Sequence, residues 1–253
     1  MNVKELYKKF SERIPGELSE PWDNDGLMCS PDDGAEVLRV LVTLDVTEDI
    51  VDYAISSHFD LIVSHHPLIF RPIGAISQEN HIARKLIKLI QGGVSVFSFH
   101  TRADKVVGGV NDSLSDLIGM FDTEPFGEGG LGRLGILDSV TSLEDFAYRL
   151  KEVTGADSIR ISDAYNPVSR VAIVGGDGKD YVKAAIAAGA DTFVSGRIGY
   201  NVMEEAPEMG INLIEAGHYF TEQPVTDFFR TLLLDFDPDL YVEIAESNVI
   251  KVI

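Results

Sequence analysis

Four of the six histidines in this 253-residue chain stand in three short clusters, and each cluster follows an apolar run. His65 and His66 close the run Leu61-Ile-Val-Ser-His-His-Pro67. His100 and Asp104 form a His-x-x-x-acid step after Val94-Ser-Val-Phe-Ser-Phe99, and His218 and Glu222 form the same step after Ile211-Asn-Leu-Ile214. Neutral imidazoles and carboxylates are ligands for divalent transition metals. Neighbouring side chains on a strand point to opposite faces, so His65 and His66 can serve one site only if the strand ends before them. Pro67 cannot extend a ladder and forces a turn there. Alone, the pair would also suit a structural role, with each ring capped by a backbone carbonyl. With Asp104, His218 and Glu222 it becomes a set of five ligands, too many for one tetrahedral ion with an open position. Five suit two ions about 3.5–4 Å apart that share a carboxylate and a water, as in two-metal hydrolases. For His100 three roles stand open: ligand, hydrogen-bonding group behind a ligand, or proton-transfer residue. The last two are favoured, because it lies one helical turn before Asp104.

Such groups need strand ends to position them. Apolar runs predict strands over 38–44, 61–64, 94–99, 131–136, 158–161, 170–175, 191–194, 211–214 and 240–244. Amphipathic periodicity predicts helices over 3–13, 47–57, 79–91, 112–119, 142–154, 179–188, 200–208 and 222–234. This alternation predicts an α/β fold with parallel strand pairs, a class that builds its sites beyond the carboxyl ends of strands. Residues 39–64 also align without gaps on residues 170–195 at nine identical positions, among them Arg39/Arg170, Asp60/Asp191 and Ser64/Ser195. We read a duplicated strand–helix–strand unit. Two similar α/β lobes are expected, with the metal site in the cleft between them. Lobe 1 would span 1–125 plus 218–253, and lobe 2 would span 126–217. The copies part after the matched serines: His65 and His66 follow Ser64, whereas Gly196 and Arg197 follow Ser195.

Other motifs carry less. Phe126-Gly-Glu-Gly-Gly-Leu-Gly132 fits neither phosphate-loop nor dinucleotide spacing and reads as an inter-lobe linker and turn. Gly175-Gly-Asp-Gly178 lies between a strand and a helix, where an anion could bind, but lacks the full fingerprint. Trp22-Asp-Asn-Asp-Gly26 could offer aspartates to a metal and reads rather as an Asx turn. His58 and His81 fall in helical segments without an acidic partner at ligand spacing.

Composition narrows the chemistry. Cys29 is the one cysteine, so any metal site uses nitrogen and oxygen ligands, and zinc-ribbon or iron–sulfur chemistry is excluded. Zn, Fe or Mn fit such ligands, with Co, Ni or Mg as further options. A lone cysteine also suits a reducing cytoplasm. A net charge of −20 without a basic run speaks against a nucleic-acid surface. No apolar stretch reaches membrane-spanning length, and the first ten residues read as an amphipathic helix rather than a signal peptide.

Taken together, Trp22-Asp-Asn-Asp-Gly-Leu27, Thr43-Leu-Asp-Val46, Ser64-His-His-Pro-Leu-Ile-Phe70, His100-Thr-x-x-Asp104, Gly109-Val-Asn-Asp112 and Gly217-His-Tyr-Phe-Thr-Glu222 resemble the signatures of one family over essentially the whole chain. It is that of the Nif3-like dinuclear-metal-centre hexameric proteins, homologues of type 2 GTP cyclohydrolase I, in its short form. The resemblance implies a pair of metal ions between two α/β lobes, with His66 and Asp104 on one ion, His65 and His218 on the other, and Glu222 bridging. It also implies a homo-oligomer, a toroidal hexamer built as a trimer of dimers. Two departures stand out. Arg102 and Ala103 replace the family's usual Asn and Leu, and Gly196-Arg-Ile-Gly-Tyr-Asn201 lacks the His and acid usual near residue 197. Arg102 and Arg197 could therefore bind an anionic substrate such as a phosphate.

The function this points to is a metal-dependent hydrolase on a small phosphorylated or nucleotide substrate, with His100 and Glu222 as its catalytic residues and GTP ring opening as the version the family implies. The alternative is a non-catalytic metal-binding scaffold or metal-handling protein that acts through partners.

Overall fold

Four of the predicted helices begin at a residue whose side chain caps them in the computed structural model, which describes residues 1–253. Asn2 and Glu5 form a reciprocal capping box on helix α1 (Val3–Arg13), and Thr47, Asn80 and Ser142 cap α2 (Glu48–Ser56), α3 (His81–Gly92) and α6 (Leu143–Thr154). In chain order the remaining elements are β1 (Gly26–Cys29), β2 (Arg39–Thr43), β3 (Leu61–Ser64), β4 (Ser95–Ser98), α4 (Thr101–Lys105), α5 (Val110–Ile118), β5 (Met120–Phe126), β6 (Gly132–Thr141), β7 (Arg160–Ser162), β8 (Val168–Asp177), α7 (Val182–Ala187), β9 (Thr192–Arg197), α8 (Tyr200–Met209), β10 (Asn212–Glu215), α9 (His218–Glu222), α10 (Val225–Phe236) and β11 (Tyr241–Ile244). No helix is long and apolar enough to cross a membrane.

The chain divides into two units, Met1–Val106 with Thr226–Val249, and Val107–Val225 with Ile250–Ile253. These bounds differ from the sequence-derived ones at 107–125, 218–225 and 250–253. The glycine-rich stretch is the reason at the first place. It is the turn joining β5 to β6, which pair antiparallel from Met120–Leu137 to Phe126–Gly132, so it lies inside the second unit and links no lobes.

The first unit holds a mixed five-stranded sheet in the order β1-β4-β3-β2-β11, parallel except for β1. Leu41, Ile62 and Val96 face Val51 and Ala54 of α2 and Leu86 and Leu89 of α3. On the other side, Phe97 and Phe99 pack against Phe10 of α1, with ring centroids 6.2 and 4.8 Å apart, and Phe99 also meets Phe229 of α10. The second unit holds a six-stranded sheet, β5-β6-β8-β9-β10-β7. Val171, Ile173, Val194 and Ile214 pack on α5 and α6, while their strand neighbours Ala172, Val174, Phe193 and Leu213 pack on α7 and α8. Alternate residues thus bury both faces of the sheet, which is why these strands read as continuous apolar runs.

The internal repeat is a structural one. Val40 pairs with Leu61 and Thr43 with Ser64 across β2–β3, and the matched residues Val171 with Thr192 and Val174 with Ser195 across β8–β9. Asp60 accepts hydrogen bonds from the amides of Leu38 and Arg39, and Asp191 does so from Ser169 and Arg170.

Candidate metal centre

In the first unit β3 ends at Ser64, so His65 and His66 lie beyond the ladder and are released from its alternation. Their rings stand 4.9 Å apart, and His100 joins them at 5.3 and 5.6 Å. All three rings are held the same way. Nδ1 of His65 donates to the carbonyl of Phe99 (2.9 Å), Nδ1 of His66 to Asp45 (2.8 Å) and Nδ1 of His100 to Asp23 (2.9 Å). Carbonyl and carboxylate oxygens only accept, so each Nδ1 carries the hydrogen and Nε2 is the basic nitrogen of the neutral ring. This is the tautomer that ligates metals, oriented by an outer hydrogen bond. One ligand atom from each of His65, His66 and His100 can be chosen so that all three lie within 4.8 Å of one another, a set that could hold a metal ion. Asp104, on α4, presents Oδ1 3.6 Å from Nε2 of the fully buried His65.

α4 owes its place to the segment Trp22–Gly26. Asp23 accepts from the amide (3.0 Å) and hydroxyl (2.6 Å) of Thr101, and Asp25 accepts from the amide of His100 (3.2 Å). The two aspartates therefore clamp the helix start that carries His100 and Asp104, in place of the simple Asx turn expected. Burial would raise the Asp23 carboxyl, but the hydrogen bonds from His100 and Thr101 and the His100 charge hold it at about 2. Burial would lower His100, but Asp23 and the charge of Asp104 outweigh it, and its pKa is raised.

Arg102 is engaged within the protein rather than held out toward a substrate. It is buried, its Nε donates to Asp25 (3.1 Å) and its Nη1 to the carbonyl of Ile14 (3.2 Å), and the guanidinium lies 4.8 Å from the Phe99 ring centroid. An arginine committed in this way braces α4. Arg197 is different: its side chain is 71% exposed, with Asp177 3.9 Å away. His58 follows α2 in the left-handed region (φ 56°) rather than lying within a helix, and both it and His81 are exposed.

The second unit contributes His218 and Glu222 on α9, with His218 Nε2 3.0 Å from Glu222 Oε2. Their cradle is glycine backbone. A Cβ on Gly176 (φ 65°) would run into Glu222 Oε1 and come within 3.2 Å of His218 Cε1. A Cβ on Gly196 would lie 2.7 Å from both His218 Cα and the Gly176 carbonyl oxygen. The three glycine amides of the Gly175–Gly178 run are turned to the protein rather than to an anion: Gly175 donates to Asn111, Gly176 to Thr221 and Gly178 to the Arg197 carbonyl.

The two His-x-x-x-acid steps are one residue out of register. Phe99 and Ala216 donate in the same way to Ser64 and Ser195, and α4 and α9 start at Thr101 and His218. His218 thus matches Thr101, and Gly217 matches His100. One residue along a helix turns a side chain by about 100°.

In the sequence Asp23 and Asp25 could be metal aspartates but read rather as turn residues, and Asp45 has no assigned role, yet all three fix the rings or the helix that carries the candidates. A signal existed for Asp45, which follows β2 just as His66 follows β3.

The donor chemistry of the first unit therefore suits a divalent ion, and the second unit carries one further imidazole and carboxylate. A family model, Duf34/NIF3 (NGG1p interacting factor 3), matches residues 1–252, and the chain belongs to this family. A "GTP cyclohydrolase 1 type 2 homolog" of Lactococcus lactis is 34% identical over 98% of this chain and 96% of its own. Its namesake in Clostridium perfringens is 32% identical over 89% and 88%. Among solved structures, a Staphylococcus aureus hypothetical protein shares the fold at a TM-score of 0.88, with 27% identity over 98% of this chain and 97% of that one.

Proposed function

We propose that the protein is a metal-dependent hydrolase of small phosphorylated or nucleotide substrates. In this reading His65, His66, Asp104, His218 and Glu222 together hold two divalent ions, with Zn, Fe or Mn first among candidates. The observation that carries the reading is the common pose of the three imidazoles in the first unit, each pinned at Nδ1 by a fixed oxygen and each offering Nε2. Bound ions would supply Lewis-acid polarisation and a water of lowered pKa. The chain's own residues do the rest. Asp45 and the Phe99 carbonyl orient the rings of His66 and His65. Asp23 holds His100 by Nδ1, so that its Nε2 can take a proton from the attacking water and return it to the leaving group. The names carried by the relatives make GTP ring opening the specific version of this activity. The assembly we propose with it is a toroidal homohexamer, a trimer of dimers, in the cytoplasm.

The test is elemental analysis of untagged protein purified without chelator, with its mass in solution taken from the same sample. About two transition-metal ions per chain, together with metal-dependent turnover in a screen of nucleotides and phosphate esters, is the expected result. Bound metal without turnover would favour a metal-handling scaffold. A folded protein that refuses Zn, Mn and Fe would end the metal reading altogether.

A further inference from the structure

Trp22 is the only tryptophan in the chain, and it is 62% exposed. Beside it stands Phe70, 43% exposed, with ring centroids 6.1 Å apart at 74°. Both rings also meet His100 edge to face, Trp22 at 6.3 Å and 75° and Phe70 at 6.0 Å and 89°. Single exposed aromatics are ordinary, but two in contact beside a cluster of candidate ligands are not. The backbone beside each ring is also anchored. Asp23, next to Trp22, is locked onto His100 and Thr101, and the Asn24 side-chain amide donates to the carbonyl of Ile69, next to Phe70. Phe70 belongs to the connection from β3 to α3, residues 65–80, which is longer than structureless connections in compact domains usually are, and such connections usually serve function.

We propose that Trp22 and Phe70 are the stacking surface for a planar heteroaromatic ring, a nucleobase, carried by the substrate. Edge-to-face packing against each other and His100 holds the rings while leaving ring surface open, and a base has a π-face to lay on it. The polar ring of His100, which meets both, suits a heterocycle better than an aliphatic chain. Two part-exposed rings fall well short of the roughly 1,000 Å² a stable protein interface needs, which argues against a second copy as the occupant. The inference rests on the hydrolase reading only for where the substrate's reacting group goes.

Because Trp22 is the sole tryptophan, its fluorescence reports this face directly. The experiment titrates the intact protein with GMP, and with ribose 5-phosphate as the ring-free control, and repeats the titration on F70A; calorimetry follows W22A and W22F. Saturable quenching by GMP alone is expected. Affinity should fall about tenfold in F70A and W22A and recover in part in W22F, as expected for the loss of one stacking partner. Equal binding of ribose 5-phosphate, or unchanged GMP affinity in both alanine variants, would overturn the proposal. So would a Trp22 emission that shifts with protein concentration and ignores GMP, which would give the face to a second copy. Quenching without turnover would leave this inference standing while the hydrolase reading fell. Turnover of a base-free phosphate ester, unaffected by W22A and with no GMP quenching, would do the reverse.

Discussion

The two halves of the repeat have the same strands in the same register and treat the end of the central strand in opposite ways. In the first unit the residues after Ser64 are two imidazoles, each held at Nδ1 by an oxygen from a neighbouring segment. In the second unit the residue after Ser195 is Gly196, and the bare backbone lets α9 come so close that no side chain would fit. One copy places a candidate ligand at that position, whereas the other uses it to seat the helix that carries His218 and Glu222. The one-residue offset between α4 and α9 belongs to the same divergence. A duplicated scaffold has therefore come to offer two different donor sets, a nitrogen-rich one and a His–Glu pair, from equivalent strand ends.

The largest effect should come from removing a donor in either set. H65A or E222Q should lower metal affinity by more than about 100-fold, beyond the loss typical of outer-shell changes. Metal content per chain after dialysis against a weak chelator is the measurement. If E222Q retained its full complement, the donors of the second unit would have no part in metal binding.

Two arginines sharpen the contrast between bracing and reach. Arg102 is buried on Asp25, so R102A should cost about 3–5 kcal/mol by leaving a buried carboxylate without its cation. R197A, at an exposed position, should change stability by less than about 0.5 kcal/mol. Chemical denaturation of both variants tests this. An R102A protein as stable as its parent would restore Arg102 as a ligand-binding candidate.

The seating of α9 is tested by G196A. A methyl group there meets the Gly176 carbonyl and the His218 backbone, which cannot swing aside as the tip of a long side chain can, so a loss of about 1–3 kcal/mol is expected, together with weaker metal binding. A G196A protein of unchanged stability would mean that α9 has room to spare.

Much of this was legible in the chain. The alternating runs located nine strands and eight helices of the α/β fold to within a few residues, because buried parallel strands leave continuous apolar stretches, and the repeat marked one matching strand–helix–strand unit in each sheet. β1 and β5 left no such trace. The first is a four-residue edge strand, and the second is exposed over its middle and carries a bulge and Pro125. α4 and α9 are five-residue helices, too short for any periodicity to show. The candidate ligands were legible from residue type, but what pins them was not. Asp23 and His100 lie 77 residues apart, and only the fold makes them neighbours.

That neighbourhood carries the last and most conditional prediction. Asp23 is depressed from 3.8 to about 2 in the folded chain, so its contribution is complete above pH 4 and disappears as pH falls through 2. A shift of that size corresponds to about 2 kcal/mol. D23N should therefore unfold earlier than the parent at pH 5 by about that amount, and the gap should close between pH 4 and pH 2. His100 works in the opposite sense. Its raised pKa stabilises the fold below 6.5, and that contribution fades as pH climbs through the folded value, so the D23N penalty should also shrink as pH rises above 6.5. A penalty constant from pH 3 to pH 9 would mean that Asp23 acts through its bonds to Thr101 alone. The first unit would then hold His100 by packing, as the second holds α9, and the contrast between the two halves would rest on His65 and His66.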